Sequence, residues 1–548
     1  MRTVAAVFAD FEQTFLGGPS QLLSELGGVP ILRRTLERLR QVSGLDARCL
    51  LVRPRDQAAA ERALRSWELT GAIELLPLDR GVRPRQGLLR SARKWLLDGW
   101  RGSPLGTTWF DEYLDLVGVA QVLDHYECHA VLALEGHMPL LDVELCGAMV
   151  GQTSDFEGEA KMMFTQAPPG LAGVILHRDL TRELLEQDIP LGLLLTYRPE
   201  IPRGDPINQP ICTHVADEVA HTAMRLTGDT RRSRELLAAA IAELGEPLDA
   251  AGVCRWLRQQ SPEAACGPLP VEVELELTTD DPLPETTLRP RGSRVPRRHL
   301  QDLEAVSRLA AELAAYDDRC VVLGGHGDPL AHPDFHEVCR RLRDGGVTGL
   351  AVVTPLVALS DAHLAALAEA KVDMLQVRLD ADSPETYRAV HGADHFGQVT
   401  DNVARVERMR QEQHSPQPTV ACSLTRCAAT LAEIERFYDR WIRATGWAVI
   451  EGYNEYCGEL PADTLLPTEP PVRGPCRRLG RRLMLLADGS AVVCGQDLRG
   501  ESRVGNWFSE PLSEIWAGAN LGAIRRHHSE LDLRDLPLCG RCREWYRP

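Results

Sequence analysis

The sequence predicts a mixed α/β fold in three parts: an N-terminal α/β domain, a central partial (β/α)6 barrel, and a small cysteine-bearing C-terminal domain. Three observations predict it. Short apolar runs alternate with helical patterns over residues 1–235, a second such series runs over 269–455, and the texture then changes to a Pro- and Arg-rich connector followed by spaced cysteines.

In the first series the expected strands are Val4–Phe8, Arg48–Arg53, Ile73–Leu78, Ala130–Glu135, Lys161–Thr165 and Gly173–Leu176. Between Pro30 and Val42, apolar residues recur at helical spacing and arginines and glutamates fill the other face. Residues 236–268 read as an Ala/Leu-rich helical connector, with Leu236–Leu244 in a core, closed by Pro268 and Pro270. The second series offers Val271–Thr278, Cys320–Gly324, Leu350–Thr354, Met374–Asp380, Val420–Leu424 and Val449–Tyr453 as strands. Helices over Leu300–Tyr316, His336–Asp344 and Asp361–Ala370 separate them, so the sheet is parallel and its working face lies at the strand C-termini. Residues 456–548 form the last part. Within it, Asp488-Gly489 predicts a hairpin that returns Cys494 beside Cys476. His527-His528 reads as a solvated basic helix end.

Composition narrows the function. The 548 residues carry 61 basic and 78 acidic side chains, a net charge of −17, which argues against wrapping nucleic acid or docking on anionic lipid. Only Lys94, Lys161 and Lys371 are lysines, and no Gly-x4-Gly-Lys-Ser/Thr occurs, so a P-loop nucleotidase is excluded. No apolar run approaches the ~20 residues of a membrane span. The expected location is the cytoplasm, where the 15 cysteines would be thiols or metal ligands.

The strongest signal is Cys476, twelve residues, Gly489, four residues, Cys494, and then Cys539-Gly-Arg-Cys542. Four thiolates, two from a Cys-x2-Cys knuckle, suit a tetrahedral metal or a cubane cluster. With Gly505-Asn506 and Leu512-x2-Ile515-Trp516, this pattern resembles the SPASM domain of radical S-adenosylmethionine enzymes. The resemblance implies one auxiliary [4Fe–4S] cluster on Cys476, Cys494, Cys539 and Cys542. Zinc is the alternative.

The region 269–455 resembles the radical S-adenosylmethionine barrel. Gly324-Gly325-His-Gly-Asp328-Pro329 matches the family's glycine-rich segment, and the resemblance implies that Asp328 lies near the amino group of S-adenosylmethionine. Arg378 and Asp380, in Val377-Arg-Leu-Asp-Ala-Asp-Ser-Pro384, match the fourth-strand segment, with Arg378 where a serine is usual. One departure alters the chemistry. The family's Cys-x3-Cys-x2-Cys belongs in the loop after the first strand, here 279–298, and no cysteine lies between Cys266 and Cys320. Radical generation is therefore not expected. That loop carries Arg289, Arg291, Arg294, Arg297 and Arg298 instead. With Arg378, Arg289 and Arg291 are candidates to clamp a small anion, against the plainer reading of a solvated loop.

Residues Gly17–Arg38, Leu134–Asp142 and Arg225–Thr230 resemble nucleotidyltransferases of glycosyltransferase-A fold. Here too the chemistry is changed. The first loop, Asp10–Ser20, has no basic residue to neutralise a triphosphate, and His137 stands where the family offers Mg2+ an aspartate. Asp111, Glu112 and Asp115 read as a helix N-terminus.

The combined expectation is an iron–sulfur SPASM protein with a degenerate radical core. Its role is binding, electron transfer or recognition in the modification of a peptide, sugar or cell-envelope component. The partner is an unidentified protein, peptide or small anion. An active enzyme using S-adenosylmethionine or a nucleotide-sugar is the first alternative, and a zinc-stabilised scaffold the second.

Overall fold

A computed structural model describes residues 1–78, 86–156, 159–196, 204–245, 248–260 and 265–547. The chain forms two compact units, Met1–Gln260 and Ser261–Pro548. Residues 246–247 and 261–264 of the expected connector lie outside the described residues. Its helices Arg231–Leu244 and Ala250–Gln259 belong to the first unit. Leu236 and Leu237 are buried there, whereas Leu244 is exposed.

The first unit is built on β1 (Thr3–Ala9), β2 (Ala47–Val52), β3 (Glu74–Pro77), β4 (Ala130–Glu135), β5 (Met162–Thr165), β6 (Val174–His177) and β7 (Cys212–Thr213). Their order in the sheet is β3-β2-β1-β4-β6-β5-β7, with β6 antiparallel to both neighbours. All seven residues of β1 are buried, as a central strand covered on both faces requires. Helix Ile31–Leu39 turns Ile31, Leu32, Leu36 and Leu39 inward, the face that the sequence periodicity predicts.

The second unit carries β8 (Glu272–Glu276), β9 (Cys320–Gly324), β10 (Gly349–Thr354), β11 (Met374–Arg378), β12 (Thr419–Arg426) and β13 (Ala448–Gly452), paired in sequence order and all parallel. Helices Leu303–Leu313, Phe335–Asp344, Asp361–Glu369, Phe396–Glu412 and Ile434–Thr445 lie between the strands in sequence. This is the partial (β/α)6 barrel, with its loops gathered at the strand C-termini.

The sheet continues beyond β8. Strand β14 (Arg482–Leu485) pairs with β8 in parallel, and β15 (Ser490–Val492) and β16 (Arg503–Asn506) follow antiparallel. The C-terminal part thus extends the barrel sheet to nine strands. The hairpin at Asp488-Gly489 is present. Gly489 has φ +90°, and a Cβ there would come within 2.6 Å of the Phe508 ring, so only glycine serves. Among the described residues, no helix is long and apolar enough to cross a membrane.

Candidate functional site: a thiol cluster beside a closed barrel mouth

The barrel mouth is organised by Glu276, at the end of β8. Arg298 donates to both of its carboxylate oxygens, at 2.6 and 3.1 Å, and His326 Nδ1 lies 2.7 Å from Oε2. Ala487 N–H donates to Oε1, and Arg298 Nη1 donates to the Leu498 carbonyl. One buried carboxylate therefore ties together the first strand, the 279–298 loop, the glycine-rich segment and the C-terminal part. Burial pushes the Glu276 carboxyl up, but His326 and Arg298 outweigh it and hold the group at about 2.

Two further arginines of this loop are also paired in the interior. Arg289 Nη2 donates to Asp380 at 2.8 Å, and Arg291 Nη2 donates to Asp281 at 2.7 Å. Asp380 also accepts from Thr425 N–H. Although burial opposes it, Arg289 and His391 keep Asp380 below the usual carboxylate range. The clamp expected of Arg289 and Arg291 is thus replaced by internal ion pairs. A guanidinium buried this deeply needs a fixed countercharge, and the neighbouring aspartates supply it.

Gly324 ends β9 and Gly325 follows it. A Cβ on Gly325, at φ +89°, would lie 2.9 Å from Glu276 Cβ, so this glycine lets the segment close onto the carboxylate. Asp328 is fully buried. Its Oδ1 accepts from Leu330 N–H, while its Oδ2 has no hydrogen-bond partner. Burial pushes this carboxyl up to about 7. Arg378, at the end of β11, is near enough to influence Asp328 electrostatically, and among the described residues no carboxylate pairs with it.

The thiols lie in the C-terminal part. Ten of the fifteen cysteines are buried, and the five that are partly exposed are Cys457, Cys476, Cys494, Cys539 and Cys542. These five act on one another. Cys476 and Cys542 both raise the thiols of Cys494 and Cys539, and Cys542, Cys494 and Cys539 in turn raise that of Cys457. Burial, the largest cause, pushes Cys494 and Cys539 up to about 12. Arg478 stands beside the group. Burial lowers its pKa, but Cys494 and Cys476 raise it further, and its Nε–H is buried without an acceptor. Arg473 donates to the carbonyls of Cys539 and Cys542, at 2.6 and 3.2 Å, and fixes the knuckle.

Two findings here escaped the sequence. His528 is 2 % exposed and its Nδ1 accepts from Cys476 N–H at 3.2 Å, so it is no part of a solvated helix end. Cys457 lies outside the recognised spacing, and its partial exposure among otherwise buried cysteines is the signal that finds it. Among the described residues, no three His, Cys, Asp or Glu side chains are drawn tightly enough to hold a single metal ion.

Comparison with known proteins adds family matches to this geometry. Residues 286–414 match the Radical SAM superfamily. Residues 476–543 match the SPASM iron–sulfur cluster-binding domain. Both domains are therefore present, and they imply iron–sulfur clusters and S-adenosylmethionine binding. The chain is 25% identical over 299 residues to an uncharacterized protein of Treponema pallidum, covering 52% of this chain and 81% of that one. It is 31% identical over 102 residues to a probable GTP 3',8-cyclase of Methanothermobacter thermautotrophicus, covering 19% of this chain and 32% of that one. Among solved structures, Streptococcus suis SuiB bound to its precursor peptide SuiA aligns at 12% identity and a TM-score of 0.39, over 64% of this chain and 80% of that one.

In the first unit, a cleft at the C-terminal ends of β1 and β4 is lined by Asp10, Trp109, Glu112, Glu135, Arg225 and Asp229. Its charges are mutually satisfied. Arg225 donates to Glu112 at 2.8 Å and to Asp229 at 2.6 Å, Arg93 donates to Glu112, and His137 Nδ1 lies 2.6 Å from Glu135. Glu112 is therefore more than a helix-terminal acid. Asp115 does cap its helix, accepting from Val117 and Gly118 N–H.

Proposed function

We propose that the chain is a SPASM-type iron–sulfur protein whose barrel does not generate radicals. Cys476, Cys494, Cys539 and Cys542 would hold one [4Fe–4S] cluster. The observation that carries this reading is the gathering of these thiols beside a half-buried Arg478 whose Nε–H has no acceptor. A cation there offsets the negative charge of a thiolate-ligated cluster. The donor set fits: four thiolates serve a cubane one per iron, spread wider than the ~2.3 Å Zn–S cage of a single zinc. Bound there, the cluster supplies a one-electron couple. Around it Arg473 fixes the knuckle carbonyls and His528 orients Cys476.

The barrel does not fit a second, radical-generating cluster. Its 279–298 loop has no thiol, and Arg289 and Arg298 fill the mouth with ion pairs. The role left is electron transfer or recognition of a peptide, sugar or other small partner during its modification. The first unit would serve as a retained nucleotidyltransferase-like fold used for binding, since its cleft charges are already spent on one another. Anaerobically purified protein should carry about four irons and four acid-labile sulfides per chain, lost in Cys539→Ala/Cys542→Ala. One zinc without sulfide would replace this reading by a structural zinc site, and about eight irons would restore radical chemistry.

One observation favours a second reading, an enzyme that uses S-adenosylmethionine. The orphaned Oδ2 of Asp328 and the unpaired Arg378 offer an acceptor for an ammonium and a donor for a carboxylate. Calorimetric titration with S-adenosylmethionine tests it. Binding that falls at least tenfold in Asp328→Ala supports the reading, and unchanged binding in that variant removes Asp328 from the site.

A further inference from the structure

We infer that Cys457 is a fifth thiolate donor at the iron–sulfur site, held beside Cys542 and able to take over its iron. The inference rests on the cluster reading above and extends it to a residue outside the four-cysteine pattern.

Its first support is selection by environment. Of the fifteen thiols, the ten others are buried in the cores, and Cys457 alone joins the four spaced cysteines in being partly exposed. Its second is proximity: the Cys457 thiol lies within electrostatic reach of Cys542, Cys494 and Cys539. Gln496 Oε1 accepts from Cys457 Sγ at 3.6 Å, which ties the thiol to the segment that follows Cys494. The third is access. Cys457 lines one cleft with Arg426, Glu455 and Arg543 and a second with Gln496 and Cys539, so the thiol reaches both solvent and the cluster ligands.

The turn that delivers it is a costly one. Tyr456, Cys457 and Gly458 have φ of +48°, +55° and +93°, and the two non-glycine residues cost roughly 1–2 kcal/mol each.

A cubane takes four thiolates and this site offers five, so one is surplus. Cys542 acts on Cys457 more strongly than the other thiols do, which marks its iron as the one at which exchange would occur. In such an exchange the Cys457 thiol would release its proton to water and its sulfur would bond to that iron. The Cys542 sulfur would leave the iron and take up a proton, so iron oxidation state and net charge would be unchanged.

Iron, sulfide and the electron paramagnetic resonance of the reduced protein would be measured on full-length wild type, Cys457→Ala, Cys542→Ala and the double variant, all purified anaerobically. Cys457→Ala should keep the wild-type iron. Cys542→Ala should keep at least half of it with an altered resonance, and the double variant should fall at least tenfold. Loss in Cys542→Ala as complete as in the double variant overturns the inference and leaves the four-cysteine reading standing. Wild type without iron overturns both. Should Cys542→Ala fail to fold, alkylation of the loaded wild type decides. One label per chain divided between Cys457 and Cys542 supports exchange, and label confined to Cys457 overturns it.

Discussion

Asp328 shows how burial turns one side chain into a pH sensor. Its carboxyl is pushed up to about 7, whereas an unfolded chain titrates near ~3.9. The folded state therefore binds this proton more tightly. The resulting stability is complete below about pH 4 and is lost as pH rises through about 7. Asp328→Asn keeps an acceptor for Leu330 N–H and removes the ionisation. Relative to the parent chain it should be about equally stable at pH 4 and about 2–4 kcal/mol more stable at pH 8. Denaturant midpoints at the two pH values check this, and a difference that does not change with pH rejects it. At this scale the sequence was partly legible. The residue types and spacing of the four cysteines were plain, because ligand chemistry constrains both. The pairing of Arg289 with Asp380 was not, because 91 residues separate them and only the closed barrel brings them together. His528 was misjudged for the same reason: a basic run looks solvated until a distant segment covers it.

Among the elements, β14 is the one that joins the two sequence textures. Its register sets Arg482 opposite Glu272 and Leu485 opposite Leu275, and Arg482 Nε lies 2.9 Å from Glu272. The alternating series of apolar runs made the six barrel strands legible, since each is a buried run flanked by helices. Strand β14 was expected only as half of a hairpin, because nothing local announces a parallel partner some 200 residues upstream. Leu485 is fully buried in this strand. Leu485→Ala should cost about 2–5 kcal/mol, as large-to-small changes in a packed core do. Hydrogen exchange read peptide by peptide gives the sharper outcome. Faster exchange should appear in β8 and β9 as well as in β14 and β15, because they share one sheet. Acceleration confined to residues after 456 would mean that the C-terminal part unfolds without the barrel.

For the whole molecule, each of the two units carries its own hydrophobic clusters, in the first around β1 and β4 and in the second around β8 to β12. The metal site proposed above belongs wholly to the second unit. A ligand that binds only the folded state stabilises what it binds, and cluster ligands must be gathered by folding before they can hold iron. Removing the cluster with a chelator and an oxidant should therefore raise hydrogen exchange in residues 265–547 and leave exchange in β1, β2 and β4 unchanged. The Cys539→Ala/Cys542→Ala variant should show the same division before any chelator is added, which separates loss of iron from chemical damage. A rise in exchange through both units would mean that the cluster stabilises the chain as one cooperative body. The first unit would then be more than a separately folding partner to the iron–sulfur half.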